Sequence, residues 1–96
     1  MAKSKNDIID DITTYAGGKY SEWYAGIAAN PRVRLFNDHQ VNEEKDSWIY
    51  RLCEDSDVAR EIEEHLLGLG FCGGGGGGDE TSKSVYAYKI SNHSKE

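Results

Sequence analysis

Three short stretches of this chain alternate in polarity with a period of two: Tyr20–Ala28, Ser47–Cys53 and Val85–Ile90. Helical periodicity fills the intervals between them, and strong breakers separate the pieces. Alternation at period two is the mark of a strand with two differently solvated faces. The interleaved order α-β-α-β-α-β restricts the chain to a layered arrangement of helices on a small sheet. We therefore expect an α+β fold: one small domain spanning residues 1–96, with a three-stranded sheet flanked by three helices. At 96 residues the chain is too short for two cores of ordinary size.

The first helix should be capped by Asn6, carry Asp7, Asp10 and Asp11 near its positive end, and place Ile8, Ile12 and Tyr15 on one face before Gly17-Gly18. Asn30-Pro31 starts a second helix running to about Gln40, with Val33, Leu35 and Phe36 toward the core. Asp55-Ser56-Asp57 offers caps for a third, whose stripe is Val58, Ile62, Leu66 and Leu69. In the first strand Gly26 is out of place, since glycine weakens a strand interior unless something approaches closely.

Six consecutive glycines begin at Gly73 and are followed by Asp79 and Glu80. A phosphate-binding loop needs Lys and Ser or Thr at that point, opening a helix. Two acids before a strand fit a flexible loop at 73–80 instead. Residues 91–96 read as a frayed tail.

The charge balance narrows the partners. Eleven Lys and Arg face seventeen Asp and Glu, for a net charge of −6. Nine of those acids lie in residues 43–69 with only three basic residues. A protein gripping DNA mainly by phosphate neutralisation needs a broad basic face, and no basic run exists here. No apolar stretch approaches a membrane span. The opening MAKSKNDIID has no apolar signal core, and Cys53 and Cys72 form no CxxC pair, so reduced thiols and a cytoplasmic setting are expected. His39, His65 and His93 make no metal-ligand spacing.

The chemistry-bearing stretch is Trp23–His39. Tyr24-Ala25-Gly26 lies in the first strand, Asn30-Pro31 opens a helix, and Arg34 stands ten residues after Tyr24. Further on, Ala59, Glu63, Leu66 and Leu67 match the pattern A-x-x-x-E-x-x-L-[IL]. In order and spacing, residues 20–69 resemble the GIY-YIG nuclease family, whose second motif is Y-x-G followed by an arginine-bearing helix and later a metal-binding glutamate. The family often carries a histidine or tyrosine one turn past the arginine; His39 lies five residues beyond Arg34. The family's opening G-I-Y strand has no counterpart upstream of Tyr24. The C-terminal strand VYAYKI would fill that place in a circularly permuted arrangement, with Tyr86 or Tyr88 supplying the missing tyrosine.

The resemblance implies a metal-dependent endonuclease or its descendant. Glu63 would hold Mg²⁺ or Mn²⁺, Arg34 would clamp phosphate, and Tyr24, Tyr86 or Tyr88 would prepare the attacking water with help from His39. Nucleic acid is the partner in that reading. A second reading makes the chain a non-catalytic module whose acidic segment 43–69 binds a basic protein. A third places a nucleotide or other small phosphate ligand at Arg34 and the tyrosines.

Overall fold

The computed structural model describes residues 4–73 and 80–91. Most of the glycine loop and of the expected tail therefore lies outside the described residues. The chain runs through α1 (Lys5–Ala16), a 3-10 turn (Tyr20–Glu22), β1 (Trp23–Ala28), α2 (Pro31–Val33) continuing as a π turn (Arg34–Asp38), β2 (Trp48–Leu52), α3 (Ser56–Leu69) and β3 (Ser84–Lys89). This is an α+β fold of three helices on one antiparallel sheet. The last strand is the middle one, in the order β1-β3-β2.

Alternation along each strand splits the sheet into two faces. Trp23, Ala25 and Ile27 of β1, Ile49 of β2, and Val85 and Ala87 of β3 face α1 and α3, where Ile8, Ile12, Ala59, Ile62 and Leu66 cover them. The opposite face carries Tyr24, Trp48, Tyr50, Tyr86 and Tyr88, packed with Leu35, Phe36 and Val41 from the α2 region. One face is thus aliphatic and structural. The other is aromatic and rich in hydroxyls.

Several local expectations need correction. Ser4, not Asn6, caps α1, accepting from the Asp7 N–H at 3.2 Å. The α1 stripe continues through Ala16 instead of Tyr15, which is half-exposed and meets Trp23 edge-on. The first strand begins at Trp23 because residues 20–22 form the 3-10 turn. In the second helix Leu35 is buried while Val33 is 43% exposed. The α3 stripe is Ala59, Ile62, Glu63 and Leu66, with Leu69 exposed. Asp55 caps that helix through the Val58 N–H, as expected.

After α3 the chain returns along the outer edge of β1. Cys72 pairs with Tyr24 in a parallel bridge, secured by Ala25 N–H to Cys72 O at 2.9 Å and Cys72 N–H to Trp23 O at 2.8 Å. The next residue must be glycine: a Cβ on Gly73 would stand 2.7 Å from the Ala25 carbonyl oxygen. Among the described residues, no helix is long and apolar enough to cross a membrane.

Candidate active site

The backbone register brings the tyrosines together first. In the antiparallel pairing of β1 with β3, Tyr24 lies opposite Tyr88 and Gly26 opposite Tyr86. Residues opposite or diagonal across a strand pair share a face, so Tyr24, Tyr86 and Tyr88 form one cluster. Tyr24 stacks on Tyr88 with ring centroids 5.3 Å apart, and lies 6.5 Å from Tyr86. Gly26 provides the floor beneath Tyr86. A Cβ there would be 2.6 Å from the Tyr86 hydroxyl oxygen and 2.7 Å from the adjacent ring carbon. This close approach is the reason for glycine in mid-strand.

The π turn supplies the histidine. Asn30 caps α2 through the Val33 N–H, and Pro31 occupies the first helical position. One turn later the hydrogen bonding switches: His39 N–H donates to Arg34 O at 2.9 Å, an i to i+5 closure. Such a widened turn inserts one residue without losing the following side chain's direction, and often marks a functional position. Gln40 then takes a left-handed backbone at φ 58°, and Val41 N–H returns to Leu35 O at 2.9 Å to end the element. His39 is left buried over the tyrosines. Its Nε2 lies 2.7 Å from the Tyr86 hydroxyl and its Nδ1 3.2 Å from the Tyr88 hydroxyl, and its ring centroid lies 4.8 Å from that of Tyr24.

Arg34 sits in the same π turn, half-exposed, with its Nε 3.3 Å from an Asp38 carboxylate oxygen. Its guanidinium also hydrogen-bonds the Tyr86 oxygen. A guanidinium only donates, so Tyr86 accepts from Arg34. Burial pushes the Tyr86 phenol up to about 12, with Arg34 opposing the rise and Tyr24 and, least, Glu63 adding to it. Tyr86 is consequently a neutral phenol at physiological pH.

Glu63 occupies a core position of α3 and is only 3% exposed. Its Oε1 has no hydrogen-bond partner among the described residues. Burial raises its carboxyl pKa, with Arg60 pulling the other way and Glu64 adding to the rise. The neighbouring acids Glu61 and Glu64 are exposed, so Glu63 is no part of a solvated acidic face. A buried carboxylate oxygen without a partner is costly, and the raised pKa is the response to that cost. Among the described residues, no group of three or more His, Cys, Asp or Glu is placed to hold a metal ion.

No family model, curated protein or solved structure matches this chain.

All six residues singled out in the sequence therefore have defined places. Tyr24, His39, Tyr86 and Tyr88 are in mutual contact and Arg34 reaches Tyr86, whereas Glu63 lies on α3, the helix packed on the opposite face of the sheet. The other reactive side chains look inert. Cys53 is buried with its thiol pKa raised by burial, and His65 is exposed on α3. Sequence reasoning missed Asp38, the partner of Arg34, although its four-residue spacing was available to find it. Arg34 also lines a cleft of about 360 Å³ with Asn30, Thr81 and Ser82, whose walls include none of the clustered tyrosines.

Proposed function

We propose that this protein is a small metal-dependent phosphodiesterase acting on nucleic acid, with a GIY-YIG-like active site in which the C-terminal strand stands in for the missing first strand. The observation that carries this reading is the meeting of Tyr86 with His39 and Arg34 on the strand paired directly to Tyr24. A C-terminal strand lying far from Tyr24 would have removed the case for a permuted arrangement. Instead β3 occupies the centre of the sheet, with its tyrosines beside Tyr24.

The residues divide the chemistry among themselves. Arg34, half-exposed at the rim of the cleft, binds phosphate oxygens and stabilises the charge that builds on them during attack. Because Tyr86 is neutral, it does not act as a pre-formed phenolate base. It passes a proton: water gives its proton to the Tyr86 oxygen as the Tyr86 proton moves to His39 Nε2. Tyr88 accepts from His39 Nδ1 and holds the ring in the tautomer this relay needs. Tyr24 packs against both His39 and Tyr88 and fixes their planes. Glu63 would hold a single Mg²⁺ or Mn²⁺, which when bound supplies Lewis-acid stabilisation of the phosphate.

The acidic-module reading draws less support from the geometry. Segment 43–69 does not present one uniform face: Glu63 is buried, Glu43 pairs with Arg32 at 2.7 Å, and Glu61 lies 3.8 Å from Lys5 Nζ. The test is cleavage of supercoiled and single-stranded DNA in Mg²⁺ or Mn²⁺ by wild type, Arg34→Gln and Tyr86→Phe. We expect cleavage by wild type and a loss of about 100-fold or more in each variant. Equal cleavage by all three would contradict the assignment.

A further inference from the structure

With β3 in the middle, the sheet has two edges, and they differ. The outer edge of β1 is met by the returning chain at Cys72 and Gly73. The outer edge of β2 has no neighbouring strand among the described residues. Lys89 N–H donates to Ser47 O at 2.9 Å and Cys53 N–H to Lys83 O at 2.8 Å, which fixes the phase of the β2–β3 ladder. Residues 47, 49, 51 and 53 therefore turn their backbone groups toward β3, while Trp48, Tyr50 and Leu52 turn theirs outward. Tyr50 O accordingly accepts from the Arg51 guanidinium at 2.8 Å, a contact that leaves its second lone pair open.

A seat for side chains lies along the same edge. Tyr15 of α1 and Trp48, Ile49, Tyr50 and Arg51 of β2 line an open depression of about 460 Å³. Since β3 covers the inner side of β2, four consecutive strand residues share one depression only along the outer edge. Tyr15 and, at the end of the strand, Leu52 are each more than half exposed. An unpaired edge beside such a depression is built to receive an added strand: main-chain bonds hold it, and alternate side chains enter the depression.

Charge at the two ends of β2 selects the occupant. Glu43, Glu44 and Asp46 precede the strand and Glu54, Asp55 and Asp57 follow it, with Lys45 the one base in those two runs. Arg51, within the strand, is matched by Asp11 at 3.1 Å. A second copy of this chain, paired antiparallel about Tyr50, would set each acidic end against the other copy's acidic end. An extended segment with apolar residues at alternate positions and lysine or arginine at both ends meets opposite charge at each end instead. We propose that the open edge of β2 docks such a segment of a partner protein, which becomes the fourth strand of the sheet. Docking there is independent of whether the protein cleaves nucleic acid.

The probe is a short fluorescein-labelled peptide of alternating valine and threonine with two lysines at each end, titrated with the full chain by anisotropy. Saturable binding is expected. A copy N-methylated throughout its valine–threonine core, which has no main-chain donors to offer, should bind more weakly by about tenfold or more, as should a copy with glutamates in place of the lysines. Leu52→Pro removes one outward N–H and sets a ring in the path of an added strand, while the Cys53 bond to β3 stays. It should keep the wild-type circular dichroism and lose about tenfold or more in affinity. Should Leu52→Pro fail to fold, Tyr15→Lys, at an exposed helix position on the wall of the depression, carries the same expectation. No binding by the wild type, or binding indifferent to N-methylation or to a folded variant, would overturn the docking site. A wild type that sediments as a dimer and a Leu52→Pro that sediments as a monomer would overturn the choice of occupant, since a second copy would then hold the edge.

Discussion

The hydroxyl of Tyr86 lies 2.6 Å from the point where Gly26 would carry a Cβ. The tyrosine that meets His39 and Arg34 is thus seated on bare backbone of the neighbouring strand. Adding the methyl of Gly26→Ala forces the Tyr86 ring to move, because the clash is with a ring flanked by two strands. Although alanine is ordinarily better than glycine in a strand, we expect a loss of about 1–3 kcal/mol by urea unfolding. Removing the ring should remove the conflict. Gly26→Ala in a Tyr86→Leu background should cost well under 1 kcal/mol, and strict additivity of the two changes would contradict the contact.

Glu63 gives a prediction of opposite sign to most core substitutions. A carboxyl whose pKa is raised on folding favours the fold when protonated, and that contribution is lost as pH rises through the folded value. At pH 7 the group is a net cost. Glu63→Gln keeps the shape and removes the charge, so it should raise the melting temperature at pH 7 by a few degrees. The gain should shrink toward pH 4, where the wild-type carboxyl is neutral too. Mg²⁺ or Mn²⁺ at millimolar concentration should stabilise wild type and leave Glu63→Gln unmoved. A lower melting temperature for Glu63→Gln at pH 7 would mean the carboxylate has a partner.

Tyr86 sets a window at the other end of the pH scale. Its phenol is held up at about 12 when folded, against an ordinary value of 10. Below pH 10 the neutral ring favours the fold in full. Between pH 10 and about 12 the unfolded chain ionises Tyr86 while the folded one does not, so stability drains away by about 2 kcal/mol. Chemical unfolding across that range should show the extra slope in wild type and not in Tyr86→Phe.

The π turn carries a prediction about length. A five-residue closure between Arg34 and His39 places His39 where a four-residue closure would, with one more residue looped outward. Asn37 is exposed within it. Deleting Asn37 should restore an ordinary helical turn, change stability by less than about 1 kcal/mol, and keep the histidine over Tyr86. His39→Ala, which removes one hydrogen-bond partner from each of two buried tyrosine hydroxyls, should cost about 2–4 kcal/mol. If the deletion proves as damaging as His39→Ala, the widened turn has some other purpose.

Much of this was legible in the chain. Period-two alternation located all three strands to within a few residues, and Asn30-Pro31 and Asp55 marked two helix starts correctly. Gly26 announced a close approach without naming Tyr86, because the register of β3 on β1 depends on contacts sixty residues apart. The turn at Arg34 was read as plain helix, since nothing local separates a four-residue closure from a five-residue one; only the odd spacing of His39 hinted at it. Glu63 was harder. Three acids in four positions look like a solvated face, and the burial of the middle one follows from Ala59, Ile62 and Leu66 turning that side of α3 onto the sheet.

The central claim, that these residues form a hydrolytic site, is tested most directly by DNA cleavage in Mg²⁺ or Mn²⁺ by wild type and Glu63→Gln prepared side by side. The account expects cleavage by wild type, none in EDTA, and a loss of at least about 100-fold in Glu63→Gln despite its greater stability. Cleavage by the two proteins at the same rate would contradict it, because a better-folded variant lacking the carboxylate would then be doing the same chemistry without it.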